Sequence, residues 1–237
     1  MVGYIISLVL FVLIFVSYAL CCLFKTKFVA FLNKHSKIIN LVFVCISFIC
    51  YLIVVIVAYI QNGLHDWNFI NTLPTANVSP FMFATLPLYF ILRKKAKEYY
   101  LNIIALLSVG MILSPVISMI FNIQRNYSFH AFFLADYVAH LSLSLWGIYI
   151  VSSKQIELEL KKSLICVAIM ASVAFTMLVL NLIFDTSFFG LSLRGKHNIY
   201  NVVITKSSFL SCLIYFVGLV GIMIGGHFFQ TLFKNND

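Results

Sequence analysis

Seven stretches of this chain stay apolar long enough to cross a bilayer, and no other feature constrains its fold as strongly. A spanning helix needs about 20 mainly apolar residues. The runs cover roughly residues 3–24, 37–60, 69–92, 98–122, 130–152, 163–185 and 207–232. In lipid each backbone N–H and C=O must be paired within its own segment, so such runs fold as helices. The expected fold is all-α: a polytopic transmembrane helix bundle of about seven spans, forming one integral membrane domain over residues 1–237. The first run lacks a basic leader and a clear A-x-A site and is too long for a signal core, so it reads as a span.

Composition excludes a soluble alternative. The chain is 62% hydrophobic and 10% charged, against about 25% charged in soluble domains. Its net charge of +9 lies in short gaps between apolar runs, whereas a nucleic-acid binder clusters basic residues on a polar face. No nucleic-acid partner is expected, and membrane lipid is. The six cysteines lie inside apolar runs without CxxC spacing, so they read as small buried hydrophobes.

Basic residues set the orientation, because cytoplasmic loops of membrane proteins are enriched in Lys and Arg. Lys25, Lys27, Lys34, Lys37, Arg93, Lys94, Lys95, Lys97, Lys154, Lys161, Lys162 and Lys234 fall on one side, and Arg125, Arg194, Lys196 and Lys206 on the other. Twelve against four places the N-terminus outside and the C-terminus in the cytoplasm of a multi-pass cell-membrane protein. The longest gap, residues 186–206, carries Phe188, Phe189, Leu191 and Leu193 and reads as an outer interfacial lid.

Hydrogen-bonding groups within spans are costly and mark candidate sites. The third span opens with Asn71-Thr72-Leu73-Pro74-Thr75-Ala76-Asn77-Val78-Ser79-Pro80. Ser79-Pro80 has the form of an N-cap and first helical residue. A helix from Pro80 to Leu92 covers only about 20 Å, so the preceding stretch continues at membrane depth as a broken helix. The alternative is a proline-kinked packing helix. In the fifth span Asp136 and His140 are spaced i, i+4 and share a face, with Ser144 one turn on. Such an Asp can orient the imidazole of a general base; the alternative is a structural ion pair. Ser114, Ser118 and Asn122 leave the fourth span, and Asn181 and Asp185 the sixth. These groups converge on the outer half and suggest a polar pocket there, with Asn77, Asn181, Asp185, Arg194 and Lys196 as substrate-binding candidates. His227 near the inner end and Gly221-x-x-x-Gly225 read as structural, the latter as a helix-packing motif.

Three stretches resemble a family of small multi-span membrane proteins that includes the bacterial YwaF-type proteins, itself similar to membrane acyltransferases and androgen-induced-gene lipid hydrolases. They are Thr72-Leu73-Pro74, Phe132-Phe133 with His140, and Asn181 followed by Asp185-Thr186-Ser187-Phe188-Phe189. The resemblance implies an intramembrane His acting with a nucleophile on an acyl chain or ester. His140 matches the His position. The Cys that follows the Leu-Pro motif in acyltransferase-like members falls near Val78, so Thr75 or Ser79 would take its place.

Three functions fit these readings. The first is acyl transfer or ester hydrolysis on lipid, with His140 as base, Asp136 as its orienter and Ser79 or Thr75 as nucleophile. The second is a small-solute or proton-coupled transporter using Asp136 and His140 as a relay. The third is a non-catalytic membrane factor. No Walker loop, HExxH or dinucleotide fingerprint occurs, so neither cofactor nor metal is expected.

Overall fold

The computed structural model describes residues 2–24, 26–64, 72–74, 78–123, 131–153, 156, 159–184, 186, 191 and 208–234. For helical residues 2–8, 26, 62, 109, 111–123, 131–133, 208, 211 and 231–234 it describes the backbone alone. Every element among the described residues is a helix. They are α1 (Val2–Phe24), α2 (Thr26–Lys34), α3 (Ser36–Asn62), α4 (Val78–Thr85), α5 (Leu88–Ile91), α6 (Lys94–Ile123), α7 (Ala131–Ser152), α8 (Leu160–Phe184) and α9 (Ser208–Lys234).

Among the described residues four stretches are long and apolar enough to cross a bilayer: Ser36–Gln61, Leu134–Ser152, Leu160–Phe184 and Cys212–Gln230. The bent pair α1–α2, turning by 99°, brings the number to five if counted as one span. The sharp turn follows from sequence: α2 reads TKFVAFLNK, with Leu32 buried and Lys27 and Lys34 exposed. That is the pattern of a helix lying along an interface, not of one continuing through hydrocarbon.

Buried stripes show how the long helices pack. In α3 the buried positions are Asn40, Val44, Ser47, Tyr51, Val54 and Ala58, alternating by three and four. In α9 they are Cys212, Tyr215, Leu219, Met223, Gly226 and Gln230. This spacing keeps one face against neighbours. The opposite faces expose Ile49, Ile56 and Ile60 on α3, Phe175 and Ile183 on α8, and Val217 and Phe228 on α9.

The least apolar span is the most enclosed. The Leu134–Ser152 span in α7 has mean hydropathy 1.3 and is 72% buried, whereas Ser36–Gln61 in α3 has 3.2 and is 28% buried. α7 packs against α1, α3, α6 and α9. Polar groups in a membrane are tolerable where protein, not lipid, surrounds them, so the span that carries Asp136 and His140 takes the centre. Small residues allow the close approach: a Cβ on Gly147 would fall 2.5 Å from the Ser108 Cβ on α6.

Two sequence expectations need correction. The region after Ser79-Pro80 is not one helix to Leu92 but two short ones, α4 and α5, interrupted at Leu86-Pro87. Pro87 cannot donate to the Phe83 carbonyl, and its ring would crowd that oxygen. Leu86 N–H bonds there instead at 3.2 Å, and Pro87 occupies the N-cap position of α5. Ser79 is also not a cap: α4 begins at Val78, placing Ser79 and Pro80 inside its first turn, where a missing N–H costs little.

The second correction concerns glycine. Among the described residues nothing lies within 4 Å of a Cβ placed at Gly221 or Gly225, so they form no packing seam with them. Gly226 does: a Cβ there would run into the backbone of Leu106, 2.8 Å from its carbonyl carbon.

Candidate functional site

The helical repeat of α7 stacks Asp136 and His140 on one face, and the structure closes the pair. His140 Nδ1 donates to the Asp136 carbonyl oxygen at 2.8 Å and lies 3.3 Å from Asp136 Oδ1. The His140 side chain is 9% exposed and that of Asp136 31%. A neutral imidazole donating from Nδ1 has its lone pair on Nε2, and among the described residues Nε2 has no hydrogen-bond partner. This arrangement fixes one tautomer and leaves a base directed away from its orienter.

Aromatic residues that the sequence reading did not select complete the surroundings. The Phe83 ring of α4 meets the imidazole edge-on, centroids 4.9 Å apart. Phe83 stacks on Tyr51 of α3 at 5.7 Å. Tyr51 donates its hydroxyl to the buried Thr72 carbonyl at 3.0 Å. The Thr72-Leu73-Pro74 stretch, α3, α4 and α7 thus reach one place through the chain Thr72, Tyr51, Phe83, His140. The sequence signal for Tyr51 was its position on the α3 stripe.

Ser79 is half-buried in the first turn of α4, one helical turn before Phe83 and on the same face. Ser144 does not extend the polar face, because its hydroxyl donates to the His140 carbonyl at 2.9 Å. Asn181 is occupied by the chain that follows α8: its amide N–H bonds the Leu191 carbonyl, and Thr186 Oγ1 donates to its Oδ1 at 2.9 Å. It therefore fastens that segment back onto the bundle. Thr75, Asn77, Asp185, Arg194 and Lys196 lie outside the described residues, as do the side chains of Ser114, Ser118 and Asn122.

A groove of about 610 Å³ runs between α4 and α8, lined by Phe81, Ile169, Val173 and Met177 together with Ser172 and Thr176. The two hydroxyls are tied to their own helix, Ser172 to Ala168 O and Thr176 to Ser172 O, both at 2.8 Å. Apolar atoms therefore make up most of its wall. Neither His140 nor Asp136 lines it; Phe81 lies on the same short helix as Ser79 and Phe83.

Other polar contacts went unread in the sequence. Trp146 Nε1 donates to Asn40 Oδ1 at 2.8 Å, joining α7 to α3 inside the core. His227 of α9 and Ser163 of α8 share a hydrogen bond of 2.8 Å, and Lys162 bonds Glu98 at 2.9 Å. Lys97 at the start of α6 sits 3.7 Å above the Tyr89 ring, and burial pulls its ammonium pKa below the ordinary lysine value. All six cysteines are free thiols, with Cys22, Cys166 and Cys212 buried.

No protein-family model, no curated protein and no solved structure matches the chain.

Proposed function

We propose that the chain is a seven-span cell-membrane protein, N-terminus outside and C-terminus cytoplasmic, that uses His140 as a general base on the acyl ester of a membrane lipid. The observation that carries this reading is the imidazole held at Nδ1 by Asp136 with Nε2 unbonded among the described residues. A general base needs an oriented ring and a lone pair left open for the group it deprotonates. A hydroxyl on or near α4, Ser79 or Thr75, attacks the ester carbonyl as its proton passes to Nε2. The same proton then goes to the departing alkoxide, leaving the acyl group on the hydroxyl for transfer to water or a second alcohol.

The groove beside α4 supports a lipid substrate. Its apolar wall suits an acyl chain. The topology rests on the twelve-to-four distribution of basic residues.

The test compares wild type, His140→Ala and Asp136→Asn in nanodiscs of native lipid, with bound and released lipids read by mass spectrometry. His140→Ala should abolish acyl turnover with expression intact, and Asp136→Asn should lower it by about 10²-fold or more, in line with general-base contributions. Turnover unchanged in His140→Ala, or identical lipid profiles in all three, would remove His140 from catalysis.

A further inference from the structure

The end of the bundle where α6 and α8 begin and α9 finishes holds polar groups that the His140 site does not use. Asn102 on α6 is fully buried, and neither its Nδ2 nor its Oδ1 has a hydrogen-bond partner among the described residues. Gln230 on α9 is 4% exposed, and its Nε2 is likewise without one.

The register of α6 against α9 puts these two amides opposite each other. A Cβ on Gly110 would meet Ile222, and a Cβ on Gly226 would meet Leu106. The helices therefore run antiparallel with 110 facing 222 and 106 facing 226. One turn further along the same seam brings 102 to face 230. Ser163, bonded to His227 at 2.8 Å, closes the same end from α8.

Among the described residues, two donors and one acceptor are thus left without protein partners at one level of a tight seam. Buried polar groups are almost always satisfied, by protein or by a bound molecule. A hydroxyl group satisfies all three: its oxygen accepts from two N–H donors and it gives its own hydrogen to a carbonyl-type oxygen. A molecule held by about three such bonds is the usual occupant of polar buried sites.

We propose that Asn102 and Gln230 form a second binding site, on the cytoplasmic side of the bundle, for one hydroxyl group. Its source is either a water molecule or the headgroup alcohol of an inner-leaflet lipid. The site is independent of the acyl chemistry assigned to His140, and failure of either reading leaves the other standing.

The experiment uses the full-length protein with ¹⁵N-asparagine, reconstituted in two bilayers and studied by water-edited solid-state NMR. Phosphatidylcholine carries no headgroup hydroxyl, whereas phosphatidylglycerol does. The Asn102 side-chain signal is assigned by its loss in Asn102→Leu, or in Asn102→Ser if the leucine variant does not fold. Polarisation reaching Nδ2 from exchangeable protons in phosphatidylcholine means that water fills the site. Transfer that appears only in phosphatidylglycerol means a lipid alcohol does. In either case Gln230→Leu should weaken the transfer several-fold. Absence of transfer in both bilayers would show that no exchangeable hydroxyl occupies the site, and would overturn the proposal.

Discussion

Substituting two consecutive glycines of α9 should have opposite effects. Gly226→Ala drives a methyl into the Leu106 carbonyl oxygen and sets it 2.8 Å from the carbonyl carbon and 2.9 Å from Cα, where ordinary contact begins at 3.4 Å. The obstacle is backbone, so no side-chain rotation relieves it. α9 must withdraw from α6 by at least about 0.6 Å, and a gap of 0.5–1 Å already forfeits a quarter to a half of each dispersion contact. Overpacking of this kind costs about 1–3 kcal/mol. At Gly225 a Cβ would meet nothing within 4 Å among the described residues, so Gly225→Ala keeps those contacts and gains up to about 1 kcal/mol of helix propensity. Helix propensity rises equally in both variants, so they should differ by the overpacking alone, about 1–3 kcal/mol, read from reversible unfolding in mixed detergent–lipid micelles titrated with SDS. Equal stabilities within about 0.5 kcal/mol would refute the α6–α9 register, and with it the pairing of Asn102 with Gln230.

Other substitutions probe separate contacts. Trp146→Phe strips Asn40 Oδ1 of its 2.8 Å donor inside the core; leaving that oxygen unsatisfied should cost about 1–3 kcal/mol, and adding Asn40→Leu should recover part of it. Tyr51→Phe removes the hydroxyl that holds the Thr72 carbonyl. It should lower stability by about 1 kcal/mol and speed amide exchange around Thr72, measured by hydrogen–deuterium mass spectrometry. Lys162→Gln breaks the pair with Glu98, whose side chains are 32% and 42% exposed; the same unfolding assay should show a change below about 1 kcal/mol. Cysteines placed at 64 and at 95 should react from opposite sides with a membrane-impermeant maleimide; labelling from the same side would refute the assigned topology.

What the sequence by itself determined is local. Long apolar runs with almost no charge dictate helices, because no other element satisfies its backbone without water. The spacing of Asp136 and His140 dictates that they meet, because four residues make about one helical turn. The turn of α2 away from α1 is legible in its lysines. Choice of neighbours is a different matter, since between helices in lipid there is no hydrophobic contrast to choose a face; close fit and hydrogen bonds decide. Gly221 and Gly225 carry the expected motif, yet Gly226 makes the contact. Pro87, not Pro80, breaks the helix beside His140, because only Pro87 falls where an interior hydrogen bond is required. Tyr51, Phe83 and Thr72 join His140 only after three helices come together. Asn102 and Gln230 lie 128 residues apart in sequence, and only the antiparallel seam of α6 and α9 brings them to one level.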